Sequence, residues 1–229
     1  MTRQIAFIHT APSMVAVFKS LATELLPPPP AVNLFNMVDE SLLCDIIGHG
    51  CCPPATAKRL VGHVLSAESA GASHILVTCS SMGRAVEASR VMCAATVLRV
   101  DEPMADRAVS IGRRIAVVAT LPSTLEPTVA LIKTRAAAAG RDVELTSQVV
   151  EGAFQAVMSG DGVKHDALMG QALRTLGATV DVIVLAQASM ARVVDTLPAE
   201  AKPVPILSSP RSAIEHLARL LRAQKVRNP

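Results

Sequence analysis

A thiol placed where an apolar strand gives way to a helix is the most reactive group that the sequence sets in a defined position. In Ser73-His74-Ile75-Leu76-Val77-Thr78-Cys79-Ser80-Ser81-Met82-Gly83 a run of β-formers stops at Cys79, small hydroxyl residues follow, and Arg84 to Met92 has a helical pattern. Strand, turn and helix in that order put Cys79 at the carboxyl end of a strand, beside the first turn of a helix. Unpaired N–H groups and the helix dipole favour an anion there. The pattern therefore predicts a thiol that ionises more readily than a free one and serves as base or nucleophile. The bland alternative is inert packing, common for a cysteine in a buried strand. The end position and the hydroxyls that follow favour chemistry.

Hydroxyls and imidazoles mark other strand ends. Thr10 and Ser13 follow the first strand, Ser80 and Ser81 follow Cys79, Thr120, Ser123 and Thr124 follow a later strand, and Gln187, Ala188 and Ser189 follow another. Each hydroxyl is a helix cap by default, and as a group they are candidates for holding a ligand. His9 ends the first strand and His165 lies in Gly160-Asp161-Gly162-Val163-Lys164-His165-Asp166, so both are candidates for acid or base work. His74 starts the Cys79 strand and falls at the wrong end. Asp39, Glu40, Asp101 and Glu102 are carboxylates at strand ends. Solvated helix starts are their default, and orienting a neighbouring histidine or a substrate amine is the sharper alternative.

Metal and cofactor chemistry find little support. His49-Gly50-Cys51-Cys52 with His63 invites a zinc reading, but adjacent cysteines are awkward in one tetrahedral site and a Cys-x-x-Cys spacing is missing. That loop reads better as a flexible cover. No Gly-x-Gly-x-x-Gly or phosphate loop follows a strand. Lys133, Lys164 and Lys202 lie away from predicted strand ends, so no pyridoxal lysine is marked. The expectation is no metal and no cofactor.

The elements that must carry these groups alternate between strand and helix. Ile5 to His9, Ala31 to Val38, the Cys79 strand and Ala95 to Val100 read as strands; Met14 to Leu26 and Ala55 to Ala70 read as helices. Four prolines, Pro27 to Pro30, end the first helix. At Arg114 the pattern begins again. Ile5-Ala6-x-x-x-Thr10-x-Pro12-Ser13 recurs as Ile115-Ala116-x-x-x-Thr120-x-Pro122-Ser123, Ser81-Met82 as Ser189-Met190, and the proline of Asp101-Glu102-Pro103 as that of Ser208-Ser209-Pro210. The offset stays near about 110 residues, which argues for two copies of one unit.

Strands joined by helix-length stretches imply parallel sheets with helices on both faces. The predicted fold is thus α/β: two pseudo-symmetric doubly wound domains, each with a parallel four-stranded sheet, facing a shared interdomain cleft. The last helix, Ala213 to Ala223, has no third copy to start and is expected to return to the first half. The domains would be residues 1–103 plus 212–229, carrying Cys79, and residues 104–211, carrying Gln187. Short connections across 103–113 and 207–212 would act as hinges.

Bulk properties exclude several classes. The 229 residues carry a formal charge of only +3, with no Trp, no Tyr and four Phe, so there is little for nucleic-acid bases to stack on. No run approaches a membrane span without Pro, Gly or a polar residue. Met1 to Phe18 could pass for a weak signal peptide, but His9, Pro12 and Ser13 interrupt it and the repeat claims it as strand and loop. The expectation is a mature, cytoplasmic chain. Five cysteines in that compartment predict reduced thiols, with Cys44 and Cys93 as buried fillers in helical context.

These residues resemble the aspartate/glutamate racemase superfamily, which includes hydantoin racemases, maleate isomerase and arylmalonate decarboxylase. Strand-Thr78-Cys79-Ser80-Ser81, the duplicated halves, Asp101-Glu102-Pro103-Met104 and Ala119-Thr120-Leu121-Pro122-Ser123-Thr124 carry the likeness over essentially the whole chain. The resemblance implies cofactor-independent proton transfer at the carbon next to a carboxylate of a small acid or amino acid, with Cys79 as acid and base. Family racemases use one cysteine from each half. Here the second falls on Gln187, whose carboxamide exchanges no proton at neutral pH, and His165 is the candidate to replace it. A one-thiol decarboxylase of a malonate-like acid is the alternative, and a non-catalytic carboxylate-binding protein the third. A homo-oligomer is expected through apolar helices such as Ala55 to Ala70. Few basic residues at strand ends imply that hydroxyls and backbone hold the carboxylate.

Overall fold

The structure, a computed structural model, describes residues 3–197 and 202–227. The first half runs β1 (Arg3–His9), α1 (Ser13–Leu25), β2 (Val32–Val38), α2 (Glu40–His49), α3 (Pro54–Ser69), β3 (Ala72–Val77), α4 (Gly83–Ser89) and β4 (Thr96–Arg99). The second runs α5 (Glu102–Ile111), β5 (Arg114–Ala119), α6 (Pro122–Ala138), β6 (Glu144–Val149), α7 (Ala153–Met158), α8 (Gly162–Gly177), β7 (Val182–Leu185), α9 (Ala191–Thr196) and β8 (Ile206–Leu207), and α10 (Ser209–Arg227) follows. Contacts divide the chain into two units, Met1–Val100 with Pro210–Pro229, and Asp101–Ser209.

Each unit is built on one wholly parallel sheet, in the orders β2-β1-β3-β4 and β6-β5-β7-β8. This is the doubly wound α/β architecture that the repeated pattern predicts. Successive strand residues point to opposite faces, so nearly continuous apolar runs such as Ile75-Leu76-Val77 cover both. In the first unit Ala6, Ile8, Ile75 and Val77 pack under α2, α3 and α4. Phe7 turns to the other face, where its ring meets Phe18 of α1 at 5.9 Å. In the second unit Ile115, Val117, Val182 and Val184 share a cluster with α5 and α6. Ala116, Val118, Ile183 and Leu185 face the cluster that includes α7 and α8.

Both sheets have the same switch point. From β1 the chain winds to β2 on one side and then to β3 on the other, and β5, β6 and β7 repeat the move. A crevice opens at the carboxyl ends of the strands where the winding reverses. The loops after β1 and β3, and after β5 and β7, are therefore the places in each unit for a ligand.

Local boundaries differ from the sequence reading at several points. Residues 103–113 are no hinge: Glu102–Ile111 is the helix α5, and its Met104, Ala105, Ala108 and Val109 are core residues of the second unit. Helix α2 was hidden between a strand and a Gly/Cys/Pro-rich loop. Asp39 caps it by accepting the Ser41 N–H, Leu42 and Ile46 bury its inner face, and Gly50 ends it in the left-handed region at φ 70°. Cys44, expected in the core, lies on the outer face of this helix and is exposed. Helix α4 stops at Ser89, which leaves Cys93 half-buried in the following turn. Among the described residues no helix is long and apolar enough to cross a membrane.

Candidate active site

The sulfur of Cys79 lies just past β3, at the switch point of the first sheet. Cys79 opens a single 3-10 turn, Ser80–Met82, that leads into α4. The pairing Ile8↔Val77 continues upward: the Thr78 N–H donates to Ile8 O at 3.0 Å, and His9 Nδ1 lies 2.9 Å from the Thr78 hydroxyl. Two residues past that pair, Thr10 stands beside Cys79, and its hydroxyl donates to the sulfur. The Ser81 and Met82 N–H groups and the Ser81 hydroxyl add three more donors.

These donors do not make the resting thiol acidic. Burial raises the Cys79 pKa above that of an ordinary thiol, and the hydrogen bonds from Thr10, Ser81 and Met82 offset only part of the rise. The sequence pattern predicts an easily ionised thiol; the crowding of the sulfur overturns that. The neighbouring Cys52 thiol is also pushed up, by burial first and then by the charges that Cys79 and Cys51 would carry. Cys52 Sγ rests 3.9 Å from Met82 Sδ, so the loop before α3 packs on the Cys79 turn. His49 ends α2 and its Nδ1 reaches Asp45 O at 2.8 Å. Among the described residues no cluster of three His, Cys, Asp or Glu is arranged to hold a metal ion.

Around this sulfur the candidate residues fall into different roles. Ser80 is buried, and among the described residues its hydroxyl has no hydrogen-bond partner. Ser13 starts α1 and is exposed. His9 is fully buried, with Nε2 2.9 Å from Asn36 Oδ1 and Nδ1 2.9 Å from Thr78 Oγ1. Burial lowers its pKa while the Asn36 bond opposes the shift, so the ring is a neutral strap between β1, β2 and β3. His74 sits at the amino end of β3, and burial followed by the Arg3 charge lowers its pKa.

The second unit repeats the frame with other side chains. Gln187 opens the 3-10 turn Ala188–Met190, with φ −116° and ψ 132° against −123° and 116° at Cys79. Its Oε1 accepts the Thr120 N–H at 2.7 Å and the Thr120 hydroxyl at 2.9 Å. A backbone N–H only donates, so this contact fixes which end of the carboxamide is oxygen and leaves the NH₂ as a donor. Ser123 and Thr124 are buried in the first turn of α6, while Ala188 is half-buried and Ser189 exposed. His165 is buried on α8 with Nδ1 2.8 Å from Asp166 Oδ1, and Asp166 meets Arg192 at 3.1 Å. Burial works to raise the Asp166 carboxyl, but His165 and Arg192 together hold it below the usual range.

Two features escaped the sequence. Arg99 ends β4, although few basic residues were expected at strand ends. It is buried, pairs with Glu87, and its guanidinium fills the space where a Cβ on Gly83 would stand. His63 of α3 reaches Asp39, after β2, at 2.8 Å. That pair was named only as separate options, a strand-end carboxylate and a doubtful metal ligand. A cavity of about 260 Å³ adjoins it, lined by Ile8, Met37, Val38, Asp39 and His63.

The sequence profile of the Asp/Glu/Hydantoin racemase family matches residues 9–217. A search of curated proteins gave no match. Solved structures of similar fold include an allantoin racemase from Klebsiella pneumoniae at 18% identity and TM-score 0.70, covering 98% of this chain and 89% of that one. A glutamate racemase of Bacillus anthracis shares 16% identity at TM-score 0.72, covering 98% of this chain and 83% of its own. An aspartate racemase of Picrophilus torridus shares 13% at 0.73, covering 96% and 94%.

Proposed function

The chain belongs to the Asp/Glu/hydantoin racemase family, and we propose that it moves a proton at the carbon next to a carboxylate of a small acid, with Cys79 as the proton carrier. The observation that carries this reading is the convergence of two hydroxyls and two backbone N–H groups on one sulfur at a switch point. Burial keeps the resting group a neutral thiol, the form that gives a proton to a carbanion. Donation breaks the S–H bond, forms C–H and leaves a thiolate. Thr10, Ser81 and the Met82 N–H then hold that anion. In reverse the thiolate removes the α-proton, and the electron pair of the C–H bond stays on carbon as an enediolate. Such charge needs donors in a dry setting, and the unpartnered Ser80 hydroxyl beside Cys79 suits that task. Each step uses protein groups alone.

Gln187 favours a second reading. Its carboxamide carries no exchangeable acid, so a reaction on one face is chemically consistent with it: a malonate-type acid loses CO₂, the pair stays on carbon, and Cys79 supplies the proton. Solvent-deuterium exchange separates the readings. A racemase incorporates deuterium at the α-carbon of its substrate and returns both enantiomers, whereas a decarboxylase yields one enantiomer of a labelled product. Aspartate, glutamate and allantoin, named for the relatives, are the first acids and ureides to try. Cys79→Ala is expected to abolish turnover with an unchanged melting temperature, and retained turnover overturns the assignment.

A further inference from the structure

One strand over from the thiol, the first unit holds a second acid–base pair. The ladder between β1 and β2 ends at His9↔Val38, and the Asp39 N–H extends it by donating to His9 O at 3.0 Å. One step further in both ladders, Thr10 stands between Asp39 on one side and Cys79 on the other. At roughly 4.8 Å per strand, the two outer residues lie about 10 Å apart. A carbon held over Thr10 is flanked by Cys79 on one side of the row and by the Asp39 end on the other. Ile8, whose neighbour in β3 is Val77, forms part of the cavity wall beneath this row.

We infer that His63, oriented by Asp39, is a second proton carrier for the reaction proposed above, and that the adjoining cavity receives a compact, neutral substituent of the reacting carbon. The inference rests on Cys79 being the first carrier. Asp39 Oδ1 accepts the Ser41 N–H at 3.0 Å and the Ser41 hydroxyl, and its Oδ2 accepts from His63 Nε2 at 2.8 Å. The Ser41 hydroxyl first, then, against the opposing effect of burial, the His63 ring and the Ser41 N–H hold this group below the usual carboxylate range. A ring that donates from Nε2 has its lone pair on Nδ1, and among the described residues Nδ1 has no hydrogen-bond partner. A carboxylate behind an imidazole fixes its tautomer and stabilises the imidazolium.

The chemistry calls for such a group. Inverting a carbon requires that hydrogen leave one face and return to the other, so one thiol is insufficient and the Gln187 carboxamide cannot help. In one direction His63 Nδ1 takes the α-hydrogen as a proton and the C–H pair remains on carbon. Cys79 then gives its S–H proton to the opposite face and is left a thiolate, while His63 is left an imidazolium paired with Asp39. Exchange with solvent resets both. The cavity wall is apolar at Ile8, Met37 and Val38, and among the described residues it has no lysine or arginine. Asp39 would repel a second carboxylate there, so a neutral substituent is preferred over that of aspartate or glutamate.

The test follows deuterium uptake from heavy water into each enantiomer of leucine, of 5-isobutylhydantoin and of aspartate. Cys79→Ser is expected to stop exchange of one enantiomer and His63→Gln that of the other, each by roughly 10²–10⁴-fold, with leucine or its hydantoin exchanging faster than aspartate. Asp39→Asn should weaken the same enantiomer as His63→Gln. Added imidazole should restore the exchange lost in His63→Ala, which a distorted fold would not permit. Wild-type exchange of both enantiomers in both His63→Gln and Asp39→Asn overturns the inference and leaves the role of Cys79 standing. No exchange by the wild-type protein, or undiminished exchange in Cys79→Ser, overturns the role of Cys79 and the inference with it. Faster exchange of aspartate overturns the neutral-substituent preference.

Discussion

Thr10 and Thr120 follow the central strands of two sheets with the same strand order, and each reaches the first residue of the turn after the next strand. Thr10 finds the sulfur of Cys79, and Thr120 finds the carboxamide oxygen of Gln187. On the other side of each threonine the difference repeats. Asp39 N–H bonds to His9 O in the first unit, and Val150 N–H bonds to Ala119 O in the second, so Val150 stands where Asp39 does. Gly83 after Met82 is matched by Ala191 after Met190, and Arg99 is matched by Ser208. A doubled frame thus keeps its backbone while one copy collects the titratable groups and the other keeps an amide and an aliphatic side chain. Strand-end geometry is set by the sheet and its ladders. The side chains mounted there are free to diverge.

The largest effect that can break this asymmetry is on turnover. Cys79→Ser should cost roughly 10²–10⁴ in rate, whereas Gln187→Ser should cost far less; equal losses, read as deuterium uptake, would put the two units on the same chemical footing. Next comes packing. Gly83→Ala drives a methyl into the Arg99 guanidinium and should destabilise by about 1–3 kcal/mol, while Ala191→Gly should cost no more than about 1 kcal/mol in the second unit. Urea denaturation compares them, and a neutral Gly83→Ala would mean that Arg99 simply swings aside. Gln187→Leu leaves the Thr120 N–H and hydroxyl without their acceptor and should cost about 1–3 kcal/mol, again by urea.

The smallest predicted difference is in acid sensitivity. His9 and His74 have pKa values lowered by burial, so in the folded first unit they resist protonation that the unfolded chain accepts. Unfolded chains then bind more protons below about 6.5, and stability of this unit falls as pH drops from there. Asp181 works in the other window of the second unit. Hydrogen bonds from Arg114, side chain first and then backbone, hold it down at about 2 against 3.8, so its contribution is present above 3.8 and is lost as pH falls toward 2. Hydrogen exchange at pH 7 and pH 5 should therefore show protection in β1 and β3 declining before that in β5 and β7. Parallel loss in both sheets contradicts this assignment.

The sequence made legible whatever was encoded by local pattern. Apolar runs closing on Thr10, Cys79, Thr120 and Gln187 located four strand ends, and their recurrence gave two parallel sheets with helices on both faces. Less legible was anything decided by packing across the fold. Glu40 to His49 has only two buried positions, Leu42 and Ile46, and its flanking Gly, Cys and Pro residues masked a helix. Glu102-Pro103 looked like a break, yet proline in a first turn fits a helix start, and α5 begins there. His63 and Asp39 are 24 residues apart in the chain and meet only because α3 packs on β3 and β1 beside the end of β2. The raised pKa of Cys79 was hidden for a similar reason: position at a helix start is visible in a sequence, crowding around a sulfur is not.

One feature of connectivity bears on how the protein is made. Helix α10 follows the whole second unit in the chain but belongs to the first, where its Ala213, Ile214, Leu217 and Leu221 are buried and the Arg3 guanidinium reaches Leu221 O. As the polypeptide leaves the ribosome, the segment bearing the thiol emerges early and waits with an apolar face uncovered. The amide-bearing unit, contiguous from Asp101 to Ser209, has all its parts first. Completion of the reactive half therefore follows synthesis of the amide-bearing unit, and a nascent chain halted before α10 would carry Cys79 on a complete sheet that still lacks one of its covering helices.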